Sequence, residues 1–194
     1  AVNKVLDQKD IKGVYGTIAQ LGTVKGNYNT PLEIAAGSRA DNIVVANDKT
    51  AAQCISYLKK NKYGSASFIP INKIRSQSIS VEDKKLLKHE GVHDFAVNLV
   101  QFDSQYKKAF EFVFGRTLVV DSIETARSVG IGTARMVTLD GDMAETTGVM
   151  RGGFLQKRAG SRFVGQGAID SLNEVQKELG ESQSIISSLD IKRS

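Results

Sequence analysis

The 194 residues, 41% of them hydrophobic, suffice to bury a core without disulfide or metal staples, which excludes a disordered segment and predicts one large domain or two lobes. No apolar run approaches a membrane span, and the opening AVNKVLDQKD lacks a signal-like apolar core. The net charge of +5 is unevenly placed: Lys49 to Val81 and Thr146 to Ile169 carry basic residues and no acid, so the remainder of the chain is acidic. Two such runs predict positive regions on the folded surface, either plain solvated charge or a face for a polyanion.

In chain order, Val2, Val5 and Leu6 open with a short apolar stripe, a coiled-coil stub over residues 1–11 that needs a covering partner. The absence of an initial Met predicts that the chain is a piece of a longer polypeptide. DNIVVAN predicts a buried strand centred on Ile43, Val44 and Val45, followed by a helix from Asp48, a good N-cap type, to Asn61. That helix carries the single cysteine, Cys54, where a small core hydrophobe is expected rather than a nucleophile; one unpaired thiol fits a reducing cytoplasm. SASFIPI predicts a strand ended near Pro70. The apolar pattern then weakens between Ser76 and Gly91, placing a boundary between lobes at residues 12–90 and 91–166.

QYKKAFEFVFG predicts a helix stopped by Gly115, RTLVVD a strand, and SIETARSVG a helix running from Ser122 to Gly130. TARMVTLDG predicts a strand turning at Asp140 and Gly141. Finally, Leu172, Val175, Leu179, Ser182, Ile186 and Leu189 alternate in steps of three and four, the seam of a coiled-coil stub over residues 167–194. Antiparallel pairing of the two stubs is the simplest cover for both stripes; docking of a terminal helix on its own domain is the alternative. No internal repeat at a fixed period stands out. The fold class predicted is α/β (α+β), two lobes with mixed sheets and helices.

Three strings invite a catalytic reading. His89, Glu90 and His93 match the His-Glu-x-x-His pattern of zinc hydrolases, which needs both histidines one turn apart on a helix, and Glu111 is the nearest thing to a further ligand. Gly91 in the middle and the strand-like DFAVNLV beyond it argue against that helix. No phosphate loop is present, and GIGTAR lacks the last glycine of a dinucleotide fingerprint, so no cofactor and no ATPase site are expected in this segment. Asp140, Asp142 and Glu145 lack calcium-loop spacing and read as loop charge.

The glycines are more specific. Gly141, Gly148, Gly152 and Gly153 bracket a short strand through Val149, Met150 and Arg151. Backbone without side chains admits another backbone, so this strand is suited to pairing at an exposed edge, with ordinary turn glycines as the alternative.

This G-x6-G-x3-G-G string, with GVYGTIAQLG, LEIAAGSRADNIVV from Leu32 and YKKAFEFVFGRTLVVDSIETA from Tyr106 in the same order, resembles the hinge domain of structural maintenance of chromosomes (SMC) proteins, prokaryotic type. The resemblance implies a non-catalytic dimerisation module for chromosome condensation and segregation, cytoplasmic and nucleoid-associated, with ATP hydrolysis in distant head domains. It implies a two-fold, ring-like dimer, a homodimer by preference, in which Gly141, Gly148, Val149, Met150, Arg151, Gly152 and Gly153 form one side of the contact. Ser65 to Ile71 is the weaker candidate for the other side. It also implies non-specific DNA binding after the paired glycines, where Lys157 and Arg158 are retained, Gln156 departs from the lysine-rich pattern and Arg162 compensates; Lys59, Lys60 and Lys62 are further candidates. The competing functions are a zinc-dependent hydrolase and a monomeric nucleic-acid-binding module.

Overall fold

The computed structural model describes residues 1–76, 78–153 and 162–165, together with Val175 and Leu179. The chain opens with α1 (Val2–Leu6), which seats Val5 in the interior, and continues into β1 (Val14–Thr17). Thr17 then starts α2 (Ile18–Leu21) with a reciprocal cap: its hydroxyl accepts from Gln20 N at 3.2 Å while Gln20 Oε1 accepts from Thr17 N at 2.9 Å. After β2 (Gly22–Val24) comes α3 (Asn29–Ala36), closed by Gly37 at φ +55°, a conformation costly for any residue with a Cβ. β3 (Ile43–Val45) is buried throughout and leads into α4 (Asp48–Asn61). The cap of α4 is Asn47, which accepts from Thr50 N at 2.9 Å, so the helix starts as expected but on the neighbouring side chain rather than on Asp48.

β4 (Phe68–Pro70) and the short α5 (Val81–Lys85) complete the first half. The second half contains β5 (Val92–Phe95), β6 (Val100–Phe102), α6 (Lys107–Phe114), β7 (Leu118–Val120), α7 (Ile123–Val129), β8 (Met136–Thr138), β9 (Met143–Ala144) and β10 (Met150–Arg151). β11 (Val164–Gly165) follows. Gly115, Ser122 and Gly130 stop, cap and stop their helices as the sequence predicts.

Among the described residues the strands form three sheets, ordered β1-β3-β4, β10-β9-β8-β7-β5 and β11-β2-β6. The first draws only on the first half and the second only on the second, whereas the third joins the halves through antiparallel β2 and β6. One cluster of buried side chains likewise spans both, from Ile18, Leu32 and Val44 to Phe95, Phe110, Phe114 and Met136. Phe110 stacks on Phe102 with centroids 4.1 Å apart, and a Cβ on Gly22 would lie 2.7 Å from the Phe110 ring, so close packing fixes this seam. A smaller cluster of Val5, Ile43, Val45, Ala51, Cys54 and Leu58 receives the opening stripe, with Val2 and Leu6 against it. The N-terminal stripe thus packs at least in part on its own domain, and its expected pairing with the C-terminal stub lies outside the described residues. At the other end Val175 and Leu179 are helical and exposed, while the rest of the predicted C-terminal seam lies outside the described residues.

The structure also corrects the expectation of no internal repeat. A shift of 78 residues carries Gly13, Val14, Leu21, Tyr28, Glu33 and Gly37 onto Gly91, Val92, Leu99, Tyr106, Glu111 and Gly115. The topology repeats with it. β1 is antiparallel to β3 and β4 parallel to β3, just as β5 is antiparallel to β7 and β8 parallel to β7. Even the irregularity in the outer strand recurs, between Val14 and Gly16 and between Val92 and Asp94. β2 and β6 meet with Thr23 opposite Gln101, residues equivalent under the same shift, so a local two-fold axis passes through that pair. Across this axis Tyr15 meets Tyr106 at 5.4 Å and His93 meets Tyr28 at 5.5 Å, equivalent contacts that tie the halves from both sides.

Candidate self-association edge and basic surfaces

The strand bracketed by glycines is the outermost strand of the five-stranded sheet. Among the described residues β10 pairs with β9 alone, Met150 opposite Ala144 and Arg151 opposite Met143. Glu145 N donates to Val149 O at 2.8 Å, so residue pairs along this antiparallel ladder alternate between hydrogen-bonded and open. That alternation turns the N–H and C=O of Met150 away from β9, toward the open edge. Val149 and Met150 are exposed there, 57% and 46%, although both are apolar. An exposed edge with apolar side chains is a surface that proteins ordinarily cover or pair.

The glycines divide into two roles. Gly148 at φ +87° makes the turn that returns β10 onto β9, with open space where a Cβ would stand. Gly141, also in the left-handed region, is buried in the turn between β8 and β9, where Thr138 N donates to Asp142 O at 2.8 Å. It shapes the sheet from inside its own chain rather than standing at the open edge. Asp142 organises the hairpin rather than serving as loop charge: its Oδ1 accepts from Gly153 N at 3.0 Å, and a Cβ on Gly152 would overlap that oxygen and lie 2.7 Å from Cγ. Gly152 is thus required within the monomer. Glu145 is likewise engaged, 3.4 Å from Arg135 Nε, while Arg135 Nη1 donates to Ala35 O at 2.9 Å and links this hairpin region to α3.

The basic candidates separate by environment. Lys59 and Lys60 occupy the exposed last turn of α4, a favourable place for cations beside the helix carbonyls. Lys62 caps that helix in the left-handed conformation, φ +55°, normally taken by glycine. Among the described residues none of these three lysines is in an ion pair, and Lys4 joins them, its ammonium 5.6 Å above the Tyr63 ring. Arg151 is exposed on β10. Arg162 differs: it lies 3.1 Å from Glu33 and 3.2 Å from Asp41, beside the buried Phe163, so its charge is committed to anchoring the returning chain and is not the free cation expected. Lys157 and Arg158 lie outside the described residues.

The zinc reading fails on its scaffold. His89 sits at the end of a short tight helical turn, and His93 lies within β5. The two imidazoles are therefore not on successive turns of one helix. Both ring nitrogens of His93 are used, Nδ1 with Tyr28 Oη at 3.0 Å and Nε2 with Asp121 Oδ1 at 2.6 Å. Among the described residues no group of three potential ligands is placed to hold a metal. Cys54 is fully buried, and burial pushes its thiol above the ordinary value, away from the reactive thiolate. Nor is any helix of the described residues long and apolar enough to cross a membrane.

Known proteins share this arrangement. Residues 11–130 match the family described as SMC proteins flexible hinge domain. The chromosome partition protein Smc of Aquifex aeolicus is 40% identical over 183 residues, covering 92% of this chain and 15% of that protein. That of Gloeobacter violaceus is 40% identical over 179 residues, again 92% and 15%. This chain therefore spans only about 15% of the length of these curated relatives. Among solved structures, an asymmetric dimer of the Geobacillus stearothermophilus SMC hinge domain superposes with a TM-score of 0.81 at 30% identity, covering 97% of this chain and 76% of that one. The Pyrococcus furiosus SMC hinge domain gives 0.70 at 34% identity, covering 82% of each chain. A repeated α/β body with an open strand on its second sheet, sharing sequence with these relatives along most of its length, belongs to the flexible hinge domain family of SMC proteins.

Proposed function

We propose that this chain joins two coiled-coil arms of a chromosome-partition SMC protein by pairing with a second copy of itself, and that the joined body binds DNA without sequence preference. The observation that carries the reading is the outward-facing backbone of Met150 on an apolar, unpaired edge. In the first half, β4 offers a counterpart: among the described residues it pairs only with β3 and ends its sheet. β10 of one chain set on the first half of another, twice over, uses both of these edges and closes a two-fold ring. The division at residues 12–90 and 91–166 has its natural meaning in this scheme, as the two halves that exchange contacts. The solved dimer of the Geobacillus relative supports self-association. ATP hydrolysis belongs, in this reading, to regions of the full-length protein beyond this segment, and the assembly works in the cytoplasm on the nucleoid.

Site-specific cross-linking tests the pairing. Cys54 is buried, so thiols introduced by Ser67→Cys in one preparation and Met150→Cys in another are the reactive ones. Mixing the two preparations under mild oxidation is expected to give a cross-linked species of two chains, while neither preparation alone does so. Failure to cross-link in the mixture, with both variants folded, rejects the β4–β10 contact. A chain bearing both thiols reports symmetry: two cross-links per dimer for a closed two-fold ring, one for an asymmetric dimer.

For DNA, the exposed lysines at the end of α4 are the described residues best placed to meet phosphates. Lys59→Glu, Lys60→Glu and Lys62→Glu combined are expected to weaken duplex binding and to lower the slope of log affinity against log salt by about two to three, because each phosphate contact contributes roughly 0.9. Fluorescence anisotropy at several salt concentrations measures both, with the oligomeric mass expected to stay unchanged. An unaltered slope removes this surface from the DNA contact.

A further inference from the structure

We propose that a cleft between the two halves, distinct from the α4 lysines and from the β10 edge, is a binding site for a phosphoryl dianion. The cleft has a volume of about 380 Å³ and is lined by Arg39 and Arg75 from the first half and by Arg116, Arg135, Glu111 and Phe112 from the second. That size suits a small phosphorylated compound or a single phosphate of a larger chain.

The charges do not cancel. Arg135 is engaged with Glu145, the Ala35 carbonyl and the Met143 sulfur, so it builds the wall. Arg116 is tied through Nη2 to the buried carboxylate of Asp83, which fixes its direction while leaving its other N–H groups unassigned. Glu111 is partnered by Lys107 at 3.8 Å. Arg39 and Arg75 remain, exposed and without a carboxylate partner among the described residues, and together they match the charge of a phosphoryl dianion.

Their geometry suits the ligand. The Arg39 guanidinium carbon lies 5.3 Å from the Phe112 ring centroid, within cation–π range, and no carboxylate among the described residues occupies its N–H groups, which suits a bidentate oxyanion. Arg116 is not demanded by the repeat: the residue after the helix-ending glycine is Arg116 in the second half and Ser38 in the first. The hydroxyls of Thr133 and Thr146 stand on the same wall as further donors.

The test titrates the unmodified protein with inorganic pyrophosphate by calorimetry at low ionic strength and, separately, with a short DNA duplex by anisotropy. Saturable pyrophosphate binding, weakened about tenfold in Arg39→Gln and again in Arg75→Gln, supports a free phosphorylated ligand. Arg39→Lys, which keeps the charge but loses the fork, is expected to fall between. If pyrophosphate does not bind but duplex binding drops about tenfold in Arg39→Gln and Arg75→Gln, beyond the effect of the α4 lysine variant, the same site takes its phosphate from nucleic acid. If neither ligand distinguishes the folded arginine variants from the parent, the inference is overturned. Solution mass is recorded for each variant, so loss of this site is separable from loss of self-association.

Discussion

Met150→Pro is expected to leave the chain folded and to abolish its pairing at micromolar concentration. Proline removes one N–H and places a ring where a partner strand would approach, and at a central strand position it also breaks the chain's own ladder. At Met150 the ladder is spared, because the hydrogen bond to β9 is made by Val149 and the Met150 N–H faces outward. The loss then falls on the partner contact. Two equivalent contacts each losing about 1–1.5 kcal/mol weaken the dimer roughly 100-fold before the steric term is added. Sedimentation velocity of the variant beside the parent measures this, with circular dichroism confirming the fold. Gly152 is a poorer probe of the same claim, since any side chain there first strikes Asp142 of its own chain. Gly153 faces open space and separates the two effects better, although its φ of +130° adds strain.

The second large effect is expected at Asp83, in the segment that joins the halves. This carboxylate is 2% exposed. It accepts from the Ser80 backbone N–H and hydroxyl, both at 2.8 Å, and from Arg116. Burial alone raises its pKa, but the Ser80 bonds and the Arg116 guanidinium outweigh that and hold the carboxyl below the ordinary value. Asp83→Ala removes these bonds, including the carboxylate's half of the reciprocal cap with Ser80, and is expected to cost roughly 2–3 kcal/mol in denaturant unfolding. Arg116→Gln should cost less, because solvent reaches the arginine and screens the pair. The sign of the pH dependence follows from the depressed folded value. The carboxylate stabilises the folded chain above the unfolded pKa of about 3.9, and this contribution is lost as pH falls through the lower, folded value. Asp83→Ala should therefore be less stable than the parent at neutral pH and lose less on acidification.

Much of the fold was legible because periodicity and punctuation agreed. Ile43, Val44 and Val45 form a continuous β-branched run, and all three are buried; Gly115, Ser122 and Gly130 act where helix stops and caps were expected. The duplication was not legible because most equivalent positions carry different side chains. Thr17 and Gln20 in one half correspond to Phe95 and Asn98 in the other, yet both build the same strand and crossing. Backbone demands such as Gly37 and Gly115 survive that divergence; side-chain periodicity does not.

At the edge, the glycine spacing pointed to β10, and the structure places β10 outermost in its sheet. What the spacing could not convey is that Gly141 and Gly148 make the chain's own turns, that Gly152 makes room for Asp142, and that Gly153 faces open space. That division depends on Asp142, whose carboxylate reaches across the hairpin to Gly153. Linear charge also misled at Arg162: a basic run marks positive residues but not the acids that fold onto them, here Glu33 and Asp41 from the distant first half. The His-Glu-x-x-His string failed similarly, because the required helix is replaced by a tight turn and a strand.

Sedimentation equilibrium of the unmodified protein measures whether the β10 edge, open among the described residues, brings two copies of this chain together. A mass twice the 21.0 kDa of a single chain is expected at micromolar concentration. A mass of 21.0 kDa across that range, from a folded sample, would contradict it.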